Sequence, residues 1–302
     1  MKILIASSSH LGVELLEHLR KSEHEVLGAI SSPDRASGRG RSKSSNEFAT
    51  YCQGLGIILH RPRNDQELSV ALKESNTELV ITLAYGRLVR GNELEIPKYG
   101  WLNVHFSLLP RWRGASPIQS AIAAGDSSTG ITVFKLDKGM DTGPIYSTLV
   151  YELTERSRSG QVLDQLASLA IEPVLKALEM IESGQSPKAQ SSNGITLAPK
   201  ILKGEGKIDW NRDSRQIDRQ IRALHPWPGT YSRVNDTRVA IIEAKPIDAS
   251  GFAGEILSLE PLIVATGSGA LEISRVKPEN KKEMSSVEWL RGARISLPCV
   301  FE

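Results

Sequence analysis

Cysteine is almost missing from this sequence of 302 residues: Cys52 and Cys299 stand far apart, with no CxxC or histidine-rich spacing around either. That excludes a disulfide framework and a structural zinc site and leaves two core thiols, with no metal expected. Long apolar runs are missing too, none approaching the ~20 residues of a membrane span. The opening MKILIASSSH has one lysine and a short apolar run that ends in serines, too little for a secretory signal, so a cytoplasmic protein with no membrane partner is expected. Charge of one sign is scarce, since 37 basic residues face 35 acidic ones for a net +2, and only local clustering could argue for a polyanionic partner. The glycine fingerprint GxGxxG is absent, because the first apolar segment runs into Ser7-Ser-Ser-His-Leu-Gly12. A dinucleotide-dependent oxidoreductase is therefore disfavoured. What is present, 40% hydrophobic and 24% charged residues, is ordinary for a folded protein and ample for two cores.

The first half alternates strand-like and helix-like segments. Lys2–Ala6 reads as a strand, Val13–Arg20 as a helix with apolar 3–4 spacing, Glu25–Ile30 as a strand and the run near Phe48–Leu55 as a helix. Ile57-Ile-Leu follows as a strand, then a helix from about Gln66 to Glu74 behind Asn64-Asp65, and the apolar strands Leu79–Ala84 and Trp101–Phe106. Such alternation predicts crossovers and a mostly parallel sheet, an α/β domain. Open sheets of this kind bind ligands beyond the carboxyl ends of their strands, so the loops after Ala84 and Phe106 are the places to look. A helix from about Ser159 to Ile181, interrupted near Pro173, leads into Ser183–Lys200, whose Ser, Gly, Pro, Gln and Asn read as a linker. Beyond it Ser214–Leu224 is an amphipathic helix with Ile217, Ile221 and Leu224 on one face and Arg215, Arg219 and Arg222 on the other. From Tyr231 onward short strands broken at Asn235-Asp236 and Gly267-Ser-Gly269 suggest a small β-barrel.

Asn103 and His105 are two apart in a strand, so both side chains share a face while Val104 and Phe106 point to the other. Asp141 sits in Lys138-Gly-Met-Asp-Thr-Gly-Pro144, where flanking glycines allow a sharp turn. Taken singly, each has an ordinary explanation as a cap, a core histidine or a turn residue. Together an amide, an imidazole and a carboxylate make a plausible acyl-transfer set.

The surrounding text narrows the reading. Asn103-Val-His-Phe-Ser-Leu-Leu-Pro110-Arg-Trp-Arg-Gly114-Ala, followed by Asp141-Thr-Gly143, resembles the signature of the methionyl-tRNA formyltransferase family. The resemblance extends over nearly the whole chain, through Ser32-Pro-Asp-Arg35 with Gly38-Arg-Gly40, Ala84-Tyr-Gly-Arg87, Lys207-Ile-Asp-Trp210 and Ile221-Arg-Ala-Leu-His-Pro-Trp-Pro228. It implies a doubly wound, Rossmann-type catalytic domain over 1–183, a linker over 184–204 and an OB-like barrel over 205–302 that binds tRNA. It implies 10-formyltetrahydrofolate as formyl donor, initiator methionyl-tRNA as acceptor and a role in translation initiation, by a protein expected to be monomeric. Asn103, His105 and Asp141 become the catalytic residues. Ser107, Leu108, Leu109 and Pro110 become a folate wall, and Tyr85, Gly86, Arg87, Leu88 and Val89 a second candidate for the pterin.

The acceptor would need cations. Arg35, Arg39, Arg41 and Lys43 lie in one Gly- and Ser-rich stretch without an acid between them, which suits a mobile basic arm ordering on RNA. Lys203 and Lys207, with Lys200, Arg212, Arg215, Arg219 and Arg222, offer a second basic surface. Two features depart from the family pattern: Ala6-Ser-Ser-Ser-His10 in the first loop, and Phe106 where a small residue is usual. A formyltransferase acting on a sugar amine or another small-molecule amine would share the catalytic set, but would not obviously need the basic segments. A non-catalytic RNA-binding protein would need the cations and not the catalytic set.

Overall fold

The computed structural model describes residues 1–37 and 42–302, and within these the chain forms two compact units. The first comprises Met1–Gly114, Ser128–Glu152 and Leu163–Leu197, and the second Ala115–Ser127, Leu153–Val162 and Ala198–Glu302.

The first unit is built on a seven-stranded sheet in the spatial order Ile145–Glu152, Ser128–Lys135, Trp101–His105, Leu79–Thr82, Lys2–Ala6, Glu25–Ile30, Leu59–His60. From Trp101–His105 across to Leu59–His60 the pairs are parallel, as the strand–helix alternation predicts. Ser128–Lys135 and Ile145–Glu152 extend it as an antiparallel edge that was not read from the sequence. Six of the eight residues of Ser128–Lys135 are buried, so no alternation marks it. The helix Val13–Arg20 has the expected bounds and buries Leu15, Leu16 and Leu19. Asn64 caps Asp65–Ser75 by accepting from the Glu67 amide, and Asn76 closes it in the left-handed conformation. The long helix breaks at Ala170 into Ser159–Leu169 and Ile171–Glu182, which puts Pro173 in the first turn of the second piece, where a missing N–H costs nothing.

In the second unit an antiparallel sheet runs in the order Thr230–Val234, Thr237–Ile247, Ala270–Pro278, Leu262–Ala265, Ile256–Leu259. The Asn235-Asp236 turn, with both residues at positive φ, joins the first two strands. Ser214–Ala223 buries Ile217 and Ile221 in a core shared with Trp210, Trp289 and Phe301. Ser286–Ala293, capped by a Ser285/Glu288 box, is a helix the sequence reading did not assign. No helix among the described residues is long and apolar enough to cross a membrane.

Trp101 opens the strand Trp101–His105 fully buried, and its indole N–H donates to the Glu93 carbonyl at 2.7 Å. Trp101→Ala should destabilise the first unit by about 3–5 kcal/mol, read as a shifted midpoint in urea denaturation. A cost under about 1 kcal/mol would mean that this core does not rest on the indole.

Candidate active site

The chain leaves Lys2–Ala6 toward one side of the sheet through Glu25–Ile30 and returns on the other through Leu79–Thr82. Strand order reverses there, and a crevice opens beyond the carboxyl ends. Serines line it in place of a glycine turn. The Ser8 hydroxyl donates to the Tyr85 carbonyl at 2.9 Å and meets Ser32 Oγ at 2.7 Å, which stitches together the exits of three strands. His10, from the loop that departs from the family pattern, lies 3.0 Å from Asp164 and 2.9 Å from Glu47. Its pKa is raised, chiefly by the bond to Asp164, with Glu47 adding to it.

Asn103 and His105 end the neighbouring strand. In the parallel register Thr82 stands opposite Asn103, and its hydroxyl donates to Asn103 Oδ1 at 2.6 Å. The amide is thereby oriented with its N–H donors left for another acceptor. Phe106, the unusual residue, is buried, in keeping with its position behind the strand face that carries the pair. His105 Nε2 lies 2.9 Å from the Trp112 carbonyl. A carbonyl only accepts, so the hydrogen sits on Nε2 and a neutral ring turns the Nδ1 lone pair toward Asp141 Oδ2 at 3.8 Å. Burial lowers the His105 pKa, with the Asp141 charge and the Trp112 bond opposing it. The imidazole is therefore neutral near pH 7 and able to accept a proton at Nδ1.

Asp141 adopts the left-handed conformation at φ 53°. Its loop is held by Asp137, whose Oδ1 accepts from the Gly139 amide at 2.9 Å and the Thr142 hydroxyl at 2.6 Å. Gly143 cannot be replaced without a shift, because a Cβ there would lie 1.7 Å from the Lys135 carbonyl. Asp141 Oδ2 accepts from the Gly114 amide at 2.8 Å. At 3.8 Å it is too far for a hydrogen bond to His105, so the Trp112 carbonyl orients the ring and Asp141 only faces it.

The two segments expected to bind folate differ. The Ser107 hydroxyl is fully buried and donates to the Arg111 carbonyl at 2.6 Å, so it shapes the loop from within. The Leu109 amide donates to Thr132 and Leu109 is buried, while Leu108 and Pro110 are half-buried. Tyr85, Gly86 and Arg87 line a cleft of about 440 Å³ with Ser32, Pro33 and Pro62. Arg87 is tied to Asp65 and donates to the Pro62 carbonyl, Val89 is buried and Leu88 exposed. A Cβ at Gly86 would meet nothing within 4 Å, so the backbone there is open to a flat ring.

Of the basic arm, Arg39 and Arg41 lie outside the described residues. Arg35 and Lys43 belong to a short antiparallel pair, Arg35–Ser37 with Ser42–Ser44, where an unpaired loop was expected. Lys203 and Lys207 are exposed. In the second unit Arg156, Arg158, Arg215, Arg219, Arg222 and Lys245 line a cleft of about 720 Å³, shared with three acids. Arg222 is not a free surface cation, because its Nε meets Asp218 at 2.9 Å and its Nη1 donates to the Ser157 carbonyl. Burial raises the Asp218 pKa against that partner. Cys52 is buried, and its thiol is pushed up to about 11 by desolvation, which removes it as a nucleophile. The residues that the sequence reading missed are Thr82, whose place at the next strand's end was a usable signal, and the Trp112 and Gly114 backbone groups, for which no side-chain signal exists.

Residues 1–178 match a family model described as formyl transferase, and residues 200–294 match the formyl transferase C-terminal domain. A methionyl-tRNA formyltransferase of Jannaschia sp. (strain CCS1) is 36% identical over 305 residues, covering 100% of both chains. One from Thermobifida fusca (strain YX) is 35% identical over 301 residues, covering 98% of this chain and 97% of its own. Among solved structures, HypX from Aquifex aeolicus in complex with tetrahydrofolic acid superimposes with a TM-score of 0.66 at 22% identity. That match covers 96% of this chain and 47% of the other, so this chain spans about half its length and the likeness concerns the fold.

The Asp141 carboxylate opposes the effect of burial on His105, so Asp141→Asn should lower the ring's pKa further, measured by NMR of the ring protons. An unchanged or higher value would mean that the carboxylate does not face Nδ1. The sign for stability follows: with the folded value below the reference ~6.5, the contribution is full above pH ~6.5 and lost as the pH falls through the folded value.

Proposed function

This chain belongs to the methionyl-tRNA formyltransferase family, and from that premise we propose that it transfers the formyl group of 10-formyltetrahydrofolate to the amino group of initiator methionyl-tRNA. The observation that carries the chemistry is the neutral His105, its Nδ1 turned toward Asp141, on the strand that also carries the Thr82-oriented amide of Asn103.

When bound, the folate supplies the formyl group as an amide on N10. Asn103 donates an amide N–H to the formyl oxygen as it gains charge. His105 takes the amine proton at Nδ1, and the imidazolium so formed is stabilised by Asp141 across the 3.8 Å gap. Asp141 and His105 together return that proton toward the departing N10. The open backbone at Gly86 and the apolar Leu108, Leu109 and Val89 fit a flat, weakly charged ring. Tyr85, Arg87, Leu88, Ser107 and Pro110 complete the two segments assigned to it. No metal is invoked for this chemistry.

The division at 1–183, 184–204 and 205–302 assigns formyl transfer to the first part and tRNA to the last, with the linker as far as Leu197 belonging to the first compact unit. Arg35, Arg39, Arg41, Lys43, Lys203 and Lys207 meet phosphates, joined by Arg215, Arg219 and Lys245 of the 720 Å³ cleft. The protein acts in the cytoplasm, as a monomer.

The test is formyl transfer from 10-formyltetrahydrofolate to initiator methionyl-tRNA, run beside elongator methionyl-tRNA, free methionine and a sugar-nucleotide amine. Transfer to the initiator alone is expected, and transfer to the sugar amine alone would overturn the reading. Asn103→Ala should lower kcat about 10²- to 10³-fold and His105→Ala about 10²- to 10⁴-fold. Rates within a few-fold of the parent would remove both from the chemistry.

A further inference from the structure

Asp141 carries the carboxylate of the site from an uncommon backbone conformation, φ 53° on a residue with a side chain. Its carboxylate accepts from a backbone donor, the Gly114 amide at 2.8 Å. Asp141 lies on a loop and Gly114 ends the short strand Arg113–Gly114, well apart in sequence, so something must hold the two segments to each other. The stretch read from composition as a linker supplies it. Lys188 and Ile145 exchange a pair of backbone bonds at 2.7 and 2.8 Å, the Arg113 amide donates to the Thr196 carbonyl at 2.9 Å, and the Trp112 amide donates to Thr196 Oγ1 at 2.8 Å.

Between those anchors sits Gln190, half-buried. Its Nε2 donates to the Asp141 carbonyl at 2.9 Å and the Gly143 carbonyl at 2.8 Å. Its Oε1 accepts from Arg113 Nη2 at 2.6 Å and Nε at 3.2 Å. The two carbonyls can only accept and the guanidinium can only donate, so just one orientation of the amide satisfies all four. Both amide protons and the amide oxygen are used. No other side chain of this length supplies two donors and an acceptor: a glutamate would set an oxygen against two carbonyl oxygens, and a methionine would offer neither.

We infer that Gln190 is a positioning residue for formyl transfer, one side chain that ties the backbone of Asp141 to Arg113 and so aims the Asp141 carboxylate at the Gly114 amide and Nδ1 of His105. The inference rests on the reading of Asp141 as part of the chemistry, and its test separates the two.

Gln190→Glu and Gln190→Met, close to glutamine in size, are measured beside Asp141→Asn. Displacing a catalytic group by about 1 Å can cost on the order of 10² in rate. A fall of kcat of about 10- to 100-fold is therefore expected in both Gln190 variants, with KM for 10-formyltetrahydrofolate and for the tRNA within about 3-fold. The second readout needs no turnover. In Gln190→Met, which adds no charge, the His105 ring should titrate lower than in the parent, toward its value in Asp141→Asn, as the carboxylate moves off the ring. General loss of fold would remove the native His105 signal rather than shift it.

If the folded Gln190 variants keep kcat within 2-fold of the parent while Asp141→Asn loses it, the inference fails and the reading of the site stands. If Asp141→Asn keeps full activity, that reading fails, and the His105 titration in Gln190→Met decides the positioning role alone. A ring that titrates as in the parent overturns it.

Discussion

The parallel register between Leu79–Thr82 and Trp101–His105 is the constraint on which the site depends, because it sets Thr82 opposite Asn103 and lets a hydroxyl 2.6 Å away fix the amide. Strand parity then puts His105 on the same face as Asn103 and sends Val104 and Phe106 behind. On the other edge the antiparallel partner brings Phe134 opposite Asn103, and its ring meets His105 edge-on at 6.3 Å between centroids. A slip of one residue in either pairing would turn the amide and the imidazole into the apolar interior.

The electrostatics follow from that placement. The sheet desolvates His105 and favours the neutral ring, while Asp141 at 3.8 Å adds a charge that the imidazolium would need and the neutral ring does not. The Trp112 carbonyl settles which nitrogen holds the hydrogen, so the Nδ1 lone pair faces the carboxylate. The partners that orient the Asn103 amide, the His105 ring and the Asp141 carboxylate directly are the Thr82 hydroxyl, the Trp112 carbonyl and the Gly114 amide, none of them ionised. The Asp141 carboxylate beside the ring makes no direct hydrogen bond to it, so its charge acts across space and its own direction comes from the Gly114 amide.

Where side-chain periodicity carries the information, the chain was legible. The strands Lys2–Ala6 and Glu25–Ile30 and the helix Val13–Arg20 appear with the bounds that their apolar spacing predicts. Asn103 and His105 were legible because a period of two is enough to place them together. Ser128–Lys135 was not, since a strand buried on both faces has no alternation to read. Ser183–Lys200 misled for a related reason: Ser, Gly, Pro and Gln are turn formers and also the residues that bond to backbone, and only the folded chain distinguishes a loose linker from the segment that holds Asp141 through Gln190.

The sequence by itself determined the alternating α/β half, the β-rich remainder, the three candidate catalytic residues and the family they resemble. These follow from short-range pattern, from strand parity and from the identity of groups that chemistry requires. Tertiary structure alone decided that Trp112 rather than Asp141 orients His105, that the Ser107 hydroxyl turns inward, that Arg222 is held by Asp218, and that a backbone amide directs the carboxylate. Each of those outcomes is a contest between partners brought together across the chain. Backbone donors and acceptors are the same at every position, so composition cannot say which of them will win.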